Sequence, residues 1–137
     1  MRSWLSALSG MALLLVVMFS LALPASMAAE EAMASNNHFT QASWYGPGFY
    51  GHVRADGRRY EKNEVFVASV NLPIGEKLRV MNLKNHRSLI VTVCDRMPFR
   101  RHTKRRELDL SRAAAAFLGV DSSSGPGVIP VMYEVLE

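Results

Sequence analysis

The chain has 137 residues, of which 49% are hydrophobic and 20% charged, with a formal net charge of +4. That size is enough for one small domain with one core. Its single cysteine, Cys94, excludes an internal disulfide, so the fold must stand on packing alone.

Residues 1–28 read as a secretory signal peptide. Met1-Arg2 is basic at its second position, Met11 to Leu23 is almost wholly apolar, and Pro24-Ala25-Ser26-Met27-Ala28 ends in small residues at cleavage spacing. Cleavage is expected after Ala28, with Ala29 as the other candidate; the alternative is an uncleaved N-terminal anchor. The apolar run is short for a membrane span and no second one follows, so stable membrane insertion is not expected. No cysteine is present in this leader to take a lipid. The expected product is a soluble monomer in the periplasm or outside the cell, and not a lipoprotein.

Residues 29–38 are small, polar and aperiodic, a flexible lead-in. Phe39 to Tyr45 alternates as a strand and stops at Gly46-Pro47-Gly48. Residues 46–63 form a long loop that carries Phe49, Tyr50, His52, Arg54, Arg58, Arg59 and Tyr60. Loops of that length in a small domain usually serve a function. Its aromatic rings suit the apolar faces of sugars; alternatively Trp44 and Tyr60 are core and only Tyr50 is exposed.

Val65 to Ser69 reads as a second strand, closed by the turn Leu72-Pro73-Ile74-Gly75. Lys77–Asn82 and Arg87–Cys94 form a hairpin around Leu83-Lys84-Asn85-His86. Asp95 then stands at a strand end before Pro98, a position where a working residue is fixed on one side and free on the other. The alternative is a loop acid paired with Arg96 or Arg100. Arg96, Arg100, Arg101, Lys104, Arg105 and Arg106 crowd into eleven positions, suited to an anionic polymer or else simply a solvated loop. Glu107 to Leu110 is a short strand, Ser111 caps a helix over Arg112–Leu118, Gly119 ends it, and Val128 to Leu136 is the closing strand. The pattern predicts a mainly β chain closed into a small barrel, with one or two short helices.

Several segments, in order, resemble the RlpA-like ("rare lipoprotein A") family: Ala42-Ser43-Trp44-Tyr45-Gly46, Ala55-Asp56-Gly57, Leu72-Pro73-Ile74-Gly75, Leu78 to Leu83, Val93-Cys94-Asp95-Arg96-Met97-Pro98-Phe99, and Leu108 to Ala115. The resemblance spans nearly all of residues 39–137. It implies a six-stranded double-psi β-barrel and a lytic transglycosylase that cuts peptidoglycan glycan strands with formation of 1,6-anhydro-muramic acid. Such chemistry calls for a carboxyl that first donates and then accepts a proton, and for no cofactor or metal.

The sequence departs from the family's pattern at its catalytic motif. Where the family reads Thr-Ala-x-Gly-Glu, this chain has Arg54, Ala55, Asp56, Gly57 and Arg58. Ser69 replaces a His, Cys94 an Asn, and Met97-Pro98 follows where a Gly is usual. The glycan-binding repeat that follows the barrel in longer relatives has no counterpart in these residues. The catalytic candidates are therefore Asp95 and, in the loop, Glu61, with Glu64 a weaker one. The substrate groove is expected to be floored by Trp44 and Tyr45, flanked by Tyr50 and Arg58, and centred on Asp95, with Arg96 as a further substrate-binding residue. The competing reading is an impaired barrel that binds cell-wall glycan without cutting it. A cysteine nucleophile lacks an evident partner, the four histidines lack metal-ligand spacing, and nucleic-acid binding conflicts with export.

Overall fold

Apolar residues at every second position make the strands of this chain, and the polar residues between them face outward. The structure, a computed structural model, describes residues 36–98, 105–121, 123 and 127–137. The expected leader, most of the lead-in, and Arg100, Arg101, His102 and Lys104 of the basic run lie outside the described residues.

Six strands follow in order: β1 (His38–Trp44), β2 (Val67–Ser69), β3 (Lys77–Asn82), β4 (Ser88–Arg96), β5 (Arg106–Leu110) and β6 (Ile129–Leu136), with one helix, α1 (Arg112–Phe117), between the last two. They close into a barrel in the order β1-β5-β2-β4-β3-β6, with β6 returning to β1. The pairs β1–β5 and β2–β4 are parallel and the other four antiparallel. The closed barrel is what the sequence pattern led one to expect, the mixed strand directions are not, and each of these six strands has a neighbour on both sides.

The barrel interior is filled by Val67, Leu78, Val80, Val91, Val93, Leu108, Leu110 and Val131, with Ala114 and Ala115 of α1 and Leu118 just after it plugging one side. A second, aromatic cluster lies under the 46–64 loop. There Tyr45, Tyr60, Phe66, Ala68 and Met97 are buried together, with Tyr50 and Cys94 against them.

Several boundaries shift by a residue or two, and two of the differences bear on the site. β2 begins at Val67 and not at Val65, because the backbone of Phe66 is committed to Ser111: Phe66 N donates to Ser111 Oγ at 3.1 Å and Ser111 N to Phe66 O at 2.9 Å. β4 runs on through Asp95 and Arg96, so Asp95 is a strand residue and not the first residue of a loop. Its continuation is held by β2, with a register shift between Val67 and Ala68.

Ser111 also caps α1, accepting from Ala114 N at 3.2 Å. At the other end Gly119 takes φ +76°, and a Cβ there would stand 2.6 Å from Asn85 Nδ2. One buried hydroxyl thus serves two buried backbone N–H groups on different elements. Ser111→Ala is expected to lower stability by about 2–4 kcal/mol in urea unfolding, more than an ordinary surface cap. A loss under about 0.5 kcal/mol would show that these N–H groups find other partners.

Candidate active site

Register across the barrel wall places four small or polar residues in one row. On β1–β5, Ser43 is opposite Asp109; on β5–β2, Asp109 is opposite Ala68; on β2–β4, Ala68 is opposite Asp95. Residues opposite each other on neighbouring strands share a face. Two carboxylates therefore flank one alanine, with their backbones two strand spacings apart, roughly 10 Å. Ala68 is fully buried and too small to screen one acid from the other.

Asp95 is held by three donors. Tyr45 Oη donates to Oδ2 at 2.6 Å, while Ala55 N and Arg96 N donate to Oδ1 at 2.9 and 2.8 Å. Both oxygens are thereby fixed as acceptors. Burial, together with the charge of Asp95, pushes the Tyr45 hydroxyl far above its ordinary range, so it stays a donor.

Asp109 has a different setting. Ser43 Oγ donates to Oδ1 at 2.8 Å. Burial raises its pKa; the Ser43 hydrogen bond and the Arg106 charge pull the other way, and the charge of Asp95 adds to the rise. The net direction is up. Arg106 itself keeps a buried Nε without an acceptor among the described residues, an arrangement that usually costs about 1–3 kcal/mol.

Both carboxylates open onto a cavity of about 430 Å³ lined by Tyr45, Phe49, His52, Val53, Arg54, Tyr60, Asp95, Arg96, Met97, Pro98, Arg106 and Asp109. Of the residues singled out from sequence, Tyr45, Asp95 and Arg96 meet here. Tyr45 is buried, at 7% exposure, so its ring packs and only its edge and hydroxyl serve the cavity. The Arg96 side chain bonds to the Leu72 carbonyl, away from its neighbour Asp95.

Four expected residues lie elsewhere. Trp44, one position from Tyr45 on a strand, faces the other way and packs against the barrel core. Tyr50 packs against Tyr60 at a tilt, with ring centroids 5.0 Å apart, as part of the aromatic cluster. Arg58, 74% exposed at its side chain, stands 3.5 Å from Glu64 and does not line the cavity. Glu61 is exposed, and its backbone N donates to Glu64 at 3.0 Å. The loop turns away from the cavity at these positions, which separates Arg58 and Glu61 from Asp95.

What that loop does instead is clamp itself. Arg54, 5% exposed, donates to Asp56 at 2.9 and 3.1 Å and to Glu64 at 2.8 Å, with its guanidinium 4.6 Å from the centroid of Phe66. Burial alone would raise Asp56, but the Arg54 and Arg58 N–H donors outweigh it and leave Asp56 below its ordinary value. Gly57, at φ +82°, closes the turn by donating to Arg54 O at 3.0 Å. Ser69, in place of the family's His, accepts from Leu72 N at 3.1 Å and from Asn71 N at 3.4 Å and so shapes the turn after β2. Burial pushes the Cys94 thiol up, which keeps it protonated and unsuited to nucleophilic work. Among the described residues no group of three or more His, Cys, Asp or Glu is placed to hold a metal ion.

The fold and this carboxylate row define a class: a double-psi barrel with an acid pair on its wall. A family model described as lytic transglycolase matches residues 38–133, and the chain belongs to that family. It is 45% identical over 96 residues to the probable endolytic peptidoglycan transglycosylase RlpA of Synechocystis, across 70% of this chain and 28% of that one. To the protein of the same name from Aquifex aeolicus it is 47% identical over 95 residues, across 69% and 39%. The endolytic peptidoglycan transglycosylase RlpA of Campylobacter jejuni is 41% identical over 95 residues, across 69% and 32%. The chain thus spans between about a quarter and two fifths of the length of these relatives. Among solved structures, the Streptomyces papain inhibitor aligns with a TM-score of 0.53 at 21% identity, across 74% of this chain and 94% of its own. That last likeness is one of fold alone.

Two outcomes are expected. Arg54→Ala takes the buried cation from two partly buried carboxylates, which keep only the Arg58 and Glu61 contacts, and should destabilise the fold by about 3 kcal/mol in urea unfolding, with the loop's tryptic sites opening first. Asp109 gives a pH effect whose sign follows from its raised pKa. Between the ordinary aspartate value and the raised native one, the folded state binds more protons than the unfolded chain, so stability falls as pH rises through that window. Asp109→Asn removes that burden. It should melt above the parent at neutral pH, with the gap closing in mild acid; a variant that melts lower at neutral pH would reverse the assignment.

Proposed function

We propose that the chain is a lytic transglycosylase acting on peptidoglycan glycan strands, with Asp109 as its acid and base and Asp95 as its charged partner. The observation that carries this reading is a half-buried carboxyl of raised pKa beside a second, fully hydrogen-bonded carboxylate in one cavity. Family membership supports it, as do relatives whose names give that activity. Action on the cell wall accords with an exported protein, periplasmic or extracellular and not lipid-anchored. Among the described residues no helix is long and apolar enough to cross a membrane.

Asp109, protonated, gives its proton to the glycosidic oxygen as the bond to the muramic acid anomeric carbon breaks. The electron pair leaves with that oxygen, which becomes the hydroxyl of the departing sugar, and positive charge spreads over the ring oxygen and the anomeric carbon. Asp95, oriented by Tyr45 and two backbone N–H groups, offers its negative charge to that oxocarbenium-like state. Asp109, now a carboxylate, takes the proton of the C6 hydroxyl, whose oxygen closes on the anomeric carbon as a 1,6-anhydro ring. The acid has returned to its starting form. A raised pKa suits the first step, and the carboxylate it leaves is a competent base for the second.

Asp95, first named from sequence as the acid, keeps a place at the centre of the site in the partner's role. Glu61 has none in this scheme. The competing reading, a barrel that binds glycan without cutting it, is favoured by one observation: Arg58 occupies the position of the family's Glu and sits on the surface with Glu64.

The test is digestion of purified sacculi and of peptide-free glycan strands by the full chain, with products resolved by mass spectrometry. Anhydro-muramic ends are expected. Asp109→Asn should cut about 10²–10⁴-fold more slowly with binding retained, and Asp95→Asn should also slow cutting. Binding without any anhydro product would establish the binding-only reading. Cutting untouched by Asp109→Asn would place the acid elsewhere.

A further inference from the structure

Beside the cavity that holds Asp95 lies a second hollow of about 350 Å³, lined by Ser43, Trp44, Arg106, Asp109, Gly127 and Val128. Among the described residues, Arg106 and Asp109 line both. The two hollows therefore share the residue assigned as the acid.

That arrangement has a chemical meaning. A glycosidic oxygen inside a polymer carries a sugar on each side, so an acid that reaches it needs room for substrate in two directions. The second hollow offers what a pyranose requires: an aromatic ring against which its C–H face can lie, and polar groups for hydroxyl and acetamido oxygens. Trp44 supplies the ring. Ser43, Arg106 and Asp109 supply the polar groups, with Arg106 able to donate to acetamido or lactyl oxygens.

Trp44 is also held in place. It is partly buried against the barrel core, and Gly127 approaches its six-membered ring so closely that a Cβ there would stand 2.7 Å from Cη2 and 3.3 Å from Cζ2. A side chain at residue 127 would displace the indole or fill the hollow. Glycine at this point leaves both the ring and the space beside it available.

We propose that the hollow of Ser43, Trp44, Gly127 and Val128 is a second sugar-binding subsite, which carries the glycan past Asp109 on the side opposite Asp95. The strand crosses the barrel wall from one hollow to the other, with the scissile oxygen between them. This inference rests on the glycan-cutting reading above.

Trp44 provides the probe. The chain has two tryptophans, Trp4 and Trp44, so Trp4→Phe makes fluorescence a report of Trp44 alone. In that background, with Asp109→Asn to prevent cutting, the full chain is titrated with a peptide-free octasaccharide of alternating N-acetylglucosamine and N-acetylmuramic acid. Calorimetry measures binding independently. The expected result is a saturable change in Trp44 emission with the calorimetric Kd. Gly127→Ala should weaken octasaccharide binding about tenfold with its thermal unfolding cooperative as in the parent. Calorimetric binding with unchanged Trp44 emission, or Gly127→Ala binding as the parent does, would overturn the subsite while leaving the cutting function intact. Absence of any binding, with no anhydro product from the parent, would overturn the functional reading and the subsite with it.

Discussion

Two carboxylates on either side of one alanine are the arrangement on which the rest of this molecule depends. The strand order of the barrel sets β5, β2 and β4 side by side, and their register aligns Asp109, Ala68 and Asp95 in one row. A larger residue at Ala68 would fill the space between the acids, and a fully exposed wall would let water screen them. As built, Asp109 feels the charge of Asp95, and their environments differ: Asp95 is held by three donors, while Asp109 has Ser43 and the nearby charge of Arg106. Unequal surroundings are what divide two like residues into a proton carrier and a fixed charge.

The aromatic cluster and the Arg54 clamp serve that row from one side. Tyr45 belongs to both, with its ring packed on Tyr60 and Phe66 and its hydroxyl on Asp95. The 46–64 loop is pinned by Arg54 to Asp56 and Glu64, and its Ala55 N–H is thereby presented to Asp95. At the two positions where the family resemblance implies a Thr and a Glu, this chain carries Arg54 and Arg58, and Arg54 is the buried one. The loop supports Asp95, and two of its acids, Asp56 and Glu64, are engaged in holding it.

Much of the fold was legible in the sequence because strand alternation, turn chemistry and a Ser cap are local signals. β3, β4 and α1 follow from residues within a few positions of one another. The site was legible in part. Asp95 and Tyr45 were visible from their motifs, but Asp109 was passed over inside Leu108-Asp109-Leu110, although a charge between two core leucines on a strand must face away from them. Its partner Ser43 alternates in the same way between Ala42 and Trp44. Trp44 and Tyr45, neighbours at the end of that strand, point apart, and they line different hollows. Arg58 and Glu61 were misplaced for a different reason: the path of a long loop is set by the Arg54 ion pairs, which join residues that no local pattern connects. Likewise the bond between Ser111 and Phe66 spans 45 positions and shortened β2 without any local sign.

The account stands on the raised pKa of Asp109 and on Asp95 as one of its causes. The most direct measurement is a carboxyl ¹³C NMR titration of the full chain, with Asp109 assigned by its loss in Asp109→Asn. The account predicts that Asp109 titrates above the ordinary aspartate range and moves back toward it in Asp95→Asn. An Asp109 that titrates within or below the ordinary range in the parent chain would contradict it.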